Sequence, residues 1–311
     1  MKKAINQWCF PSEWSWERVF GLCQKAGFEG IELCIDYVPF FQAMRDAPKE
    51  GLIADIARSV GSSFVAGKAL RFDSSEVEAR RVAAMARDHG VAVSSVLTIA
   101  QFHYSLIHED PAIRAEGIDL ARRLIDMAVL TGAPNLLLVP GVVTSRIRYD
   151  EAYQRLGDAI LILKEDAEKK KVGLGIENVW GRFLYSPLEL RDFVDRFKSP
   201  FVGVHFDVGN VVQYGHPDQW IEILEKRLLS IHLKDYQESI NTINAFTYLF
   251  QGSVPWGRVM RALRTVGFSG YLIAEVPPYL FCPEEGIWDL SRKIEILRSI
   301  AEGGGEIPDA E

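Results

Sequence analysis

Val172-Gly173-Leu174-Gly175-Ile176-Glu177, Phe201-Val202-Gly203-Val204-His205-Phe206-Asp207, Leu228-Leu229-Ser230-Ile231-His232 and Gly270-Tyr271-Leu272-Ile273-Ala274-Glu275 are four short apolar runs, each ending on a residue able to bind a cation. Runs this short and this apolar read as strands covered on both faces, as in a parallel sheet. The segments between them supply the crossovers that parallel strands need. Ser186-Pro187 opens one helix, a second runs from about Pro217 to Lys226, and a third puts Trp256, Val259, Met260 and Leu263 on one face. Only Asn241 to Ser253 reads as an irregular, aromatic-containing loop.

The same alternation extends back to the start of the chain. Ala4 to Cys9 reads as a strand, and Ser15 caps a helix whose apolar positions are Trp16, Val19, Phe20 and Cys23. Gly27 stops that helix, and Phe28 to Cys34 forms the second strand. Helical stretches at about Leu52 to Val60 and from Ser75 to His89 precede a third strand, Val91 to Leu97. Asp110-Pro111 opens a helix to about Leu130, Asn135 to Val139 is the fourth strand, and about Asp150 to Lys170 is helical. A last helix covers about Ile287 to Ile300. Gly27-Phe28-Glu29-Gly30-Ile31-Glu32 is echoed by Gly267-Phe268-Ser269-Gly270 leading to Glu275, a repeated unit of helix, glycine stop and acid-bearing strand. Eight strands each trailed by a helix predict an α/β fold, a parallel (β/α)8 TIM barrel over residues 1–302 as one catalytic domain. Residues 303–311 read as a flexible tail.

Bulk properties narrow the function classes. Of 311 residues, 48% are hydrophobic and 25% charged, which is globular composition. A net charge of −7 repels a phosphate backbone and argues against nucleic-acid partners. No apolar run reaches the length of a membrane span, and Gln7, Glu13 and Glu17 interrupt any signal-like start. Cys9, Cys23, Cys34 and Cys282 form no C-x-x-C pair, and the first three sit at apolar positions, so free thiols in the cytoplasm are expected.

In a barrel of this kind the C-terminal strand ends face the active-site mouth. Side-chain alternation tests whether the four terminal residues share it. With Glu177, Asp207, His232 and Glu275 pointing inward, the outward neighbours are Ile176 and Leu174, Phe206, Val204 and Val202, Ile231 and Leu229, and Ala274 and Leu272. All are apolar, as helix-covered positions must be. Three carboxylates and one imidazole suit a single hard or borderline divalent ion, Mn²⁺, Mg²⁺, Co²⁺ or Zn²⁺. The bland reading, four buried polar residues satisfied by loop amides, explains one such residue more easily than four together. His205, one inward step below Asp207, is a candidate substrate contact or a core histidine. Lys234 could hold a phosphate or a sugar hydroxyl, or simply face solvent. Trp8 and His103, which follow the first and third strands, could form a pocket wall or plain packing. Glu32 ends the second strand and is read as orienting substrate or a loop. His89 and His108 read as surface residues beside helix ends. The aromatics from Phe246 to Phe250 mark a loop that covers the site or meets another subunit of a homo-oligomer.

Glu177-Asn178, His205-Phe206-Asp207-Val208-Gly209-Asn210, Ile231-His232-Leu233-Lys234-Asp235 and Ala274-Glu275 together resemble the xylose-isomerase-like sugar isomerase and epimerase superfamily. Within it the chain is similar to ketose 3-epimerases and, more closely, to L-ribulose-5-phosphate (L-xylulose-5-phosphate) 3-epimerases and hexulose-6-phosphate isomerases. The resemblance implies metal ligation by Glu177, Asp207, His232 and Glu275, with both glutamates doubling as catalytic acid and base. Two departures from the free-ketose pattern stand out. Asn210 replaces a histidine, which makes it a candidate substrate contact, and Tyr236-Gln237-Glu238 stands where an arginine is usual. The Asp-x-Gly-Asn and His-x-Lys-Asp forms instead resemble the sugar-phosphate branch, which disfavours free tagatose or psicose and leaves a sugar or a sugar phosphate as substrate.

The chemistry fits the residues in its own right. Moving a proton beside a carbonyl needs an electrophile for the developing enediolate and a base for the proton. Two glutamates on opposite faces would invert the centre, whereas one base returning the proton to the neighbouring carbon would make an aldose–ketose isomerase. The residues leave both open. An inosose isomerase or dehydratase uses the same ligand set, and an inactive sugar-binding barrel is a reading from another class. A DNA-repair endonuclease is disfavoured, because these residues serve about one ion.

Overall fold

The computed structural model describes residues 1–40 and 69–303. Eight parallel strands form its centre: β1 (Lys2–Asn6), β2 (Gly30–Asp36), β3 (Ala92–Leu97), β4 (Asn135–Leu138), β5 (Gly173–Glu177), β6 (Val202–Asp207), β7 (Leu228–Leu233) and β8 (Tyr271–Ala274). Each pairs with the next, and β1 returns to β8 through Lys2↔Tyr271 and Ile5↔Ala274, so the sheet closes. The expected barrel is what the chain forms.

The helices around it are α1 (Trp16–Lys25), α2 (Glu76–Asp88), α3 (Pro111–Thr131), α4 (Tyr149–Lys170), α5 (Pro187–Asp195), α6 (Val208–Val211), α7 (Pro217–Leu224), α8 (Trp256–Thr265) and α9 (Pro283–Ala301). Their limits follow local chemistry. The Ser15 side chain accepts from the Arg18 N–H at the start of α1, and Gly132, with φ 77°, ends α3 in the left-handed region. The helix expected from Leu52 to Val60 lies outside the described residues, as does the expected tail beyond Gly303. None of the described helices is long and apolar enough to cross a membrane. Cys9, Cys23 and Cys34 are buried free thiols, and Cys282 is exposed.

Four departures from the sequence reading bear on the site. β1 stops at Asn6 rather than Cys9, because the Asn6 side chain accepts the Trp8 N–H at 2.7 Å and starts a 3₁₀ turn over Gln7–Cys9. β2 runs past Cys34 to Asp36 and gains a short pairing, Ile35↔Leu70, so Glu32 lies within the strand rather than at its end. The loop read as irregular carries a small antiparallel ladder of Phe246–Thr247 against Asp235–Tyr236. Finally, strict alternation fails in β7. Its register on β6 jumps from Val204↔Leu228 to His205↔Ser230. That bulge turns Leu229 into the space left by Gly173 and Gly203, where an added Cβ would lie 3.0 Å from its Cδ1. Leu229 therefore lies inward, not outward as strict alternation places it.

Candidate active site

Glu177 is the last residue of β5 and Asp207 the last of β6; His232 lies in β7 and Glu275 stands immediately after β8. One ligand atom from each lies within 4.8 Å of the other three. Neighbouring backbone and amide groups hold these side chains. Asp207 Oδ1 accepts the Asn210 N–H at 2.9 Å, which caps α6 and leaves Oδ2 facing the cluster. Asn178 stitches β5 to β6, accepting from the Asp207 N–H at 2.7 Å and donating to its carbonyl at 2.8 Å. Asn210 Nδ2 donates to Glu177 Oε1 at 3.3 Å. Lys234 Nζ lies 2.7 Å from both Asp207 Oδ2 and Glu275 Oε2. His232 Nδ1 faces Glu275 Oε2 at 3.2 Å and Asp207 Oδ2 at 3.8 Å, while its Nε2 meets Glu32 Oε2 at 2.6 Å.

Burial and crowding separate the two glutamates. Burial, reinforced by the charges of Glu275 and Asp207, pushes Glu177 up to about 8. Burial also opposes ionisation of Glu275, but His232 and Lys234 outweigh it and hold that carboxyl below the usual range. Burial works against charge on Lys234, yet Asp207, Glu275 and Glu177 together hold the amine above its ordinary value. Environments that push two carboxyls apart are how one site obtains an acid and a base. The donor set fits one divalent cation: three carboxylates and an imidazole converge without a thiolate, and the cluster already gathers around the Lys234 ammonium.

The strand ends open on a cavity of ≈ 140 Å³. Glu177, Glu275, Asn210 and Lys234 form its polar side; Trp8, Phe102, Trp180, Phe246, Leu97, Leu137 and Val139 are among its apolar lining. Trp8 thus reaches the mouth because β1 ends early. Phe246 packs on Trp180 at 5.2 Å and turns its ring face to Lys234 Nζ, 4.8 Å away, so its loop forms one wall of the cavity. Two sequence candidates do not line the cavity. His205 is fully buried below it, edge-on to His232 at 4.2 Å, and burial, with His232 beside it, pushes its imidazole down to about 3. His103 instead packs against Tyr104 at 4.7 Å. Lys234 is neither solvated nor idle but paired to two carboxylates. Asp235, for its part, turns away from the site and accepts from Trp256 Nε1 at 2.9 Å and the Val254 N–H at 3.1 Å. The residue that sequence reasoning undervalued is Glu32, which sits under the cluster at full burial. Its signal was an acid inside the otherwise apolar run Ile31 to Ile35.

Known proteins resemble this chain in sequence or in fold. The L-ribulose-5-phosphate 3-epimerase UlaE of Escherichia coli (strain SMS-3-5 / SECEC) is 23% identical over 272 residues, covering 87% of this chain and 85% of that protein. UlaE of Shigella flexneri serotype 5b is 23% identical over 227 residues, or 70% of this chain and 79% of that protein. Among solved structures, an IolI protein with a zinc atom superposes with a TM-score of 0.73 at 17% identity, over 99% of this chain and 100% of its own. A D-psicose 3-epimerase in the presence of D-fructose gives 0.67 at 16% identity, over 98% and 100%. At such identities the structural likeness speaks for the fold. The match to the xylose isomerase-like TIM barrel family runs over residues 20–299, through the strands that carry Glu177, Asp207, His232 and Glu275, and the chain belongs to that family.

Proposed function

We propose that the protein is a divalent-metal-dependent epimerase of a ketose or ketose phosphate, an isomerase that moves a proton on a carbon beside a carbonyl. The observation that carries this reading is the pair Glu177 and Glu275. They reach one cluster from strands three steps apart around the barrel, with a carboxylate oxygen of each within 4.8 Å of the other ligand atoms. A divalent ion held by Glu177, Asp207, His232 and Glu275 would polarise the substrate carbonyl and so acidify the neighbouring C–H. One of the two glutamates would then take the proton from one face and the other would return one to the opposite face, which inverts the carbon. Asn210 orients Glu177 through its 3.3 Å hydrogen bond, and Lys234 stands beside Glu275 at 2.7 Å. Trp8, Phe102, Trp180 and Phe246 exclude water around the reacting carbon. The UlaE and D-psicose 3-epimerase likenesses support a sugar as substrate. A second reading is isomerisation or dehydration of an inosose on the same four residues; loss of water changes the product's mass and separates the two.

The test is NMR of a ketose and ketose-phosphate panel in D₂O with Mn²⁺ added in turn to the protein, Glu177→Gln and Glu275→Gln. Each substitution keeps an oxygen ligand but removes a base, so turnover falls by ~10²–10⁴-fold. Each mutant should still exchange the C3 proton of one epimer, and the two mutants should favour opposite epimers. Label at C1, or equal loss of C3 exchange in both, would replace the epimerase with an aldose–ketose isomerase.

A further inference from the structure

Below the four candidate ligands lies a carboxylate that the proposed chemistry does not use. Glu32 is 0% exposed in the interior of β2 and does not line the cavity, so it cannot touch substrate there. Side chains from three other strands donate to it. Asn6 Nδ2 of β1 donates to Oε2 at 2.6 Å, Ser95 Oγ of β3 donates to Oε1, and His232 Nε2 of β7 meets Oε2 at 2.6 Å. A fourth, His205 of β6, has its Nε2 3.6 Å from Oε1. The Ser95 contact depends on a bulge: the β2–β3 register jumps from Ile31↔Val93 to Glu32↔Ser95. A buried carboxylate costs several kcal/mol unless it is paired and hydrogen-bonded, so a chain that collects this many partners around one is holding it for a purpose.

The geometry specifies that purpose. An ionised carboxylate only accepts, so the His232 nitrogen facing it must carry the hydrogen. Nδ1 faces carboxylates as well, so in the metal-free protein it too carries a proton, one that a divalent cation would displace to take the lone pair on Nδ1. That atom faces Glu275 Oε2 at 3.2 Å and Asp207 Oδ2 at 3.8 Å. We propose that Glu32 is a positioning residue: it fixes the ring orientation and Nε2–H form of His232, and so presents Nδ1 to a divalent cation shared with Glu177, Asp207 and Glu275. The inference rests on the metal-site reading above. Its physical precedent is general, since a histidine that binds a cation through one nitrogen needs the other held by an acceptor.

The experiment compares Glu32→Gln with the unaltered protein by Zn²⁺ titration calorimetry and by proton NMR of the zinc-loaded forms. Gln keeps the shape but puts a neutral amide among donors that need an anion. Zn²⁺ affinity should fall by ~10–100-fold. The slowly exchanging, downfield Nε2–H resonance of His232, assigned by its loss in His232→Gln, should move upfield or vanish by exchange. Excess Zn²⁺ or Mn²⁺ should restore much of kcat with little change in the sugar's KM. Unchanged affinity and an unchanged resonance, with only a lower melting temperature, would reduce Glu32 to a structural anchor and overturn the proposal. If the unaltered protein takes up no divalent cation, the metal-site reading falls and the Glu32 role with it. Metal binding without turnover of any sugar sinks the epimerase reading alone. Should Glu32→Gln not fold, Ser95→Ala removes one clamp, and a several-fold weaker Zn²⁺ affinity is expected; no change in affinity or resonance overturns the proposal there too.

Discussion

Lys234 shows how much a single side chain depends on where its neighbours end. Its ammonium is 2.7 Å from two carboxylates, and its side chain is 15% exposed against their 0% and 12%. Breaking such a pair leaves anions in a low-dielectric setting, which costs ~3–5 kcal/mol. Lys234→Met should therefore destabilise the metal-free protein by about 3 kcal/mol, measured by urea denaturation. Mn²⁺ should restore most of that loss, because a cation relieves the same repulsion. A change below about 1 kcal/mol, the scale of an exposed pair, would mean that the lysine is solvated after all. His205 makes the converse point. It shares Asp207's inward parity yet ends beneath the cluster, its ring against His232, because one inward step is also one layer deeper in the barrel.

At the scale of elements, the segment after β7 binds the site to the outer helices. Asp235 follows Lys234 directly, but its carboxylate serves the loop: it accepts from Trp256 Nε1 at 2.9 Å, the Val254 N–H at 3.1 Å and the Tyr236 N–H at 2.9 Å. It thereby fixes the start of α8 and the small ladder that carries Phe246 to the cavity wall. Asp235→Ala would leave the buried indole and amide donors without an acceptor, and losing one such partner costs ~1–3 kcal/mol. A stability loss at the upper end of that range is expected by thermal and urea melts. Zn²⁺ affinity should stay within about two-fold of the unaltered protein, since each ligand keeps its own support. A tenfold loss of affinity would place Asp235 in the metal site itself.

Across the whole molecule, the two ends of the barrel divide the work. The C-terminal end gathers the ionisable cluster, whereas the N-terminal end is tied by Lys3, whose side chain is 4% exposed. Its Nζ reaches Glu295 Oε1 at 2.8 Å, Ser291 Oγ at 2.9 Å and the Ala26 carbonyl at 3.2 Å, joining β1 to the end of α1 and to α9. These contacts clasp the first strand to the last described helix. Lys3→Ala should cost ~1–3 kcal/mol, from the buried Ser291 and Ala26 acceptors it leaves unpaired rather than from the half-exposed Glu295, and leave kcat and metal affinity unaltered, because residues at that end serve stability. A matching loss of activity in protein shown to be folded would contradict the division.

Local pattern was enough for the barrel and for the four residues that converge at its mouth. Short apolar strands, capped helices and acids at strand ends are written within a few residues of one another, and period-two alternation carries each inward position to the mouth. That is why Glu177, Asp207, His232 and Glu275 could be named together from the chain alone. Partners across the barrel are different, because they depend on register and on distances between strands far apart in the sequence. Glu32 and His232 are 200 residues apart, and their 2.6 Å contact exists only once β2 and β7 face each other across a closed sheet. Two bulges, at Ser95 and at Leu229, reset which side chains meet, and alternation counted along one strand cannot foresee a shift made against another. The early end of β1 that brings Trp8 to the cavity, the pairing of Lys234 and the turning away of Asp235 were likewise settled by packing, where a buried charge must find its partner or not be buried.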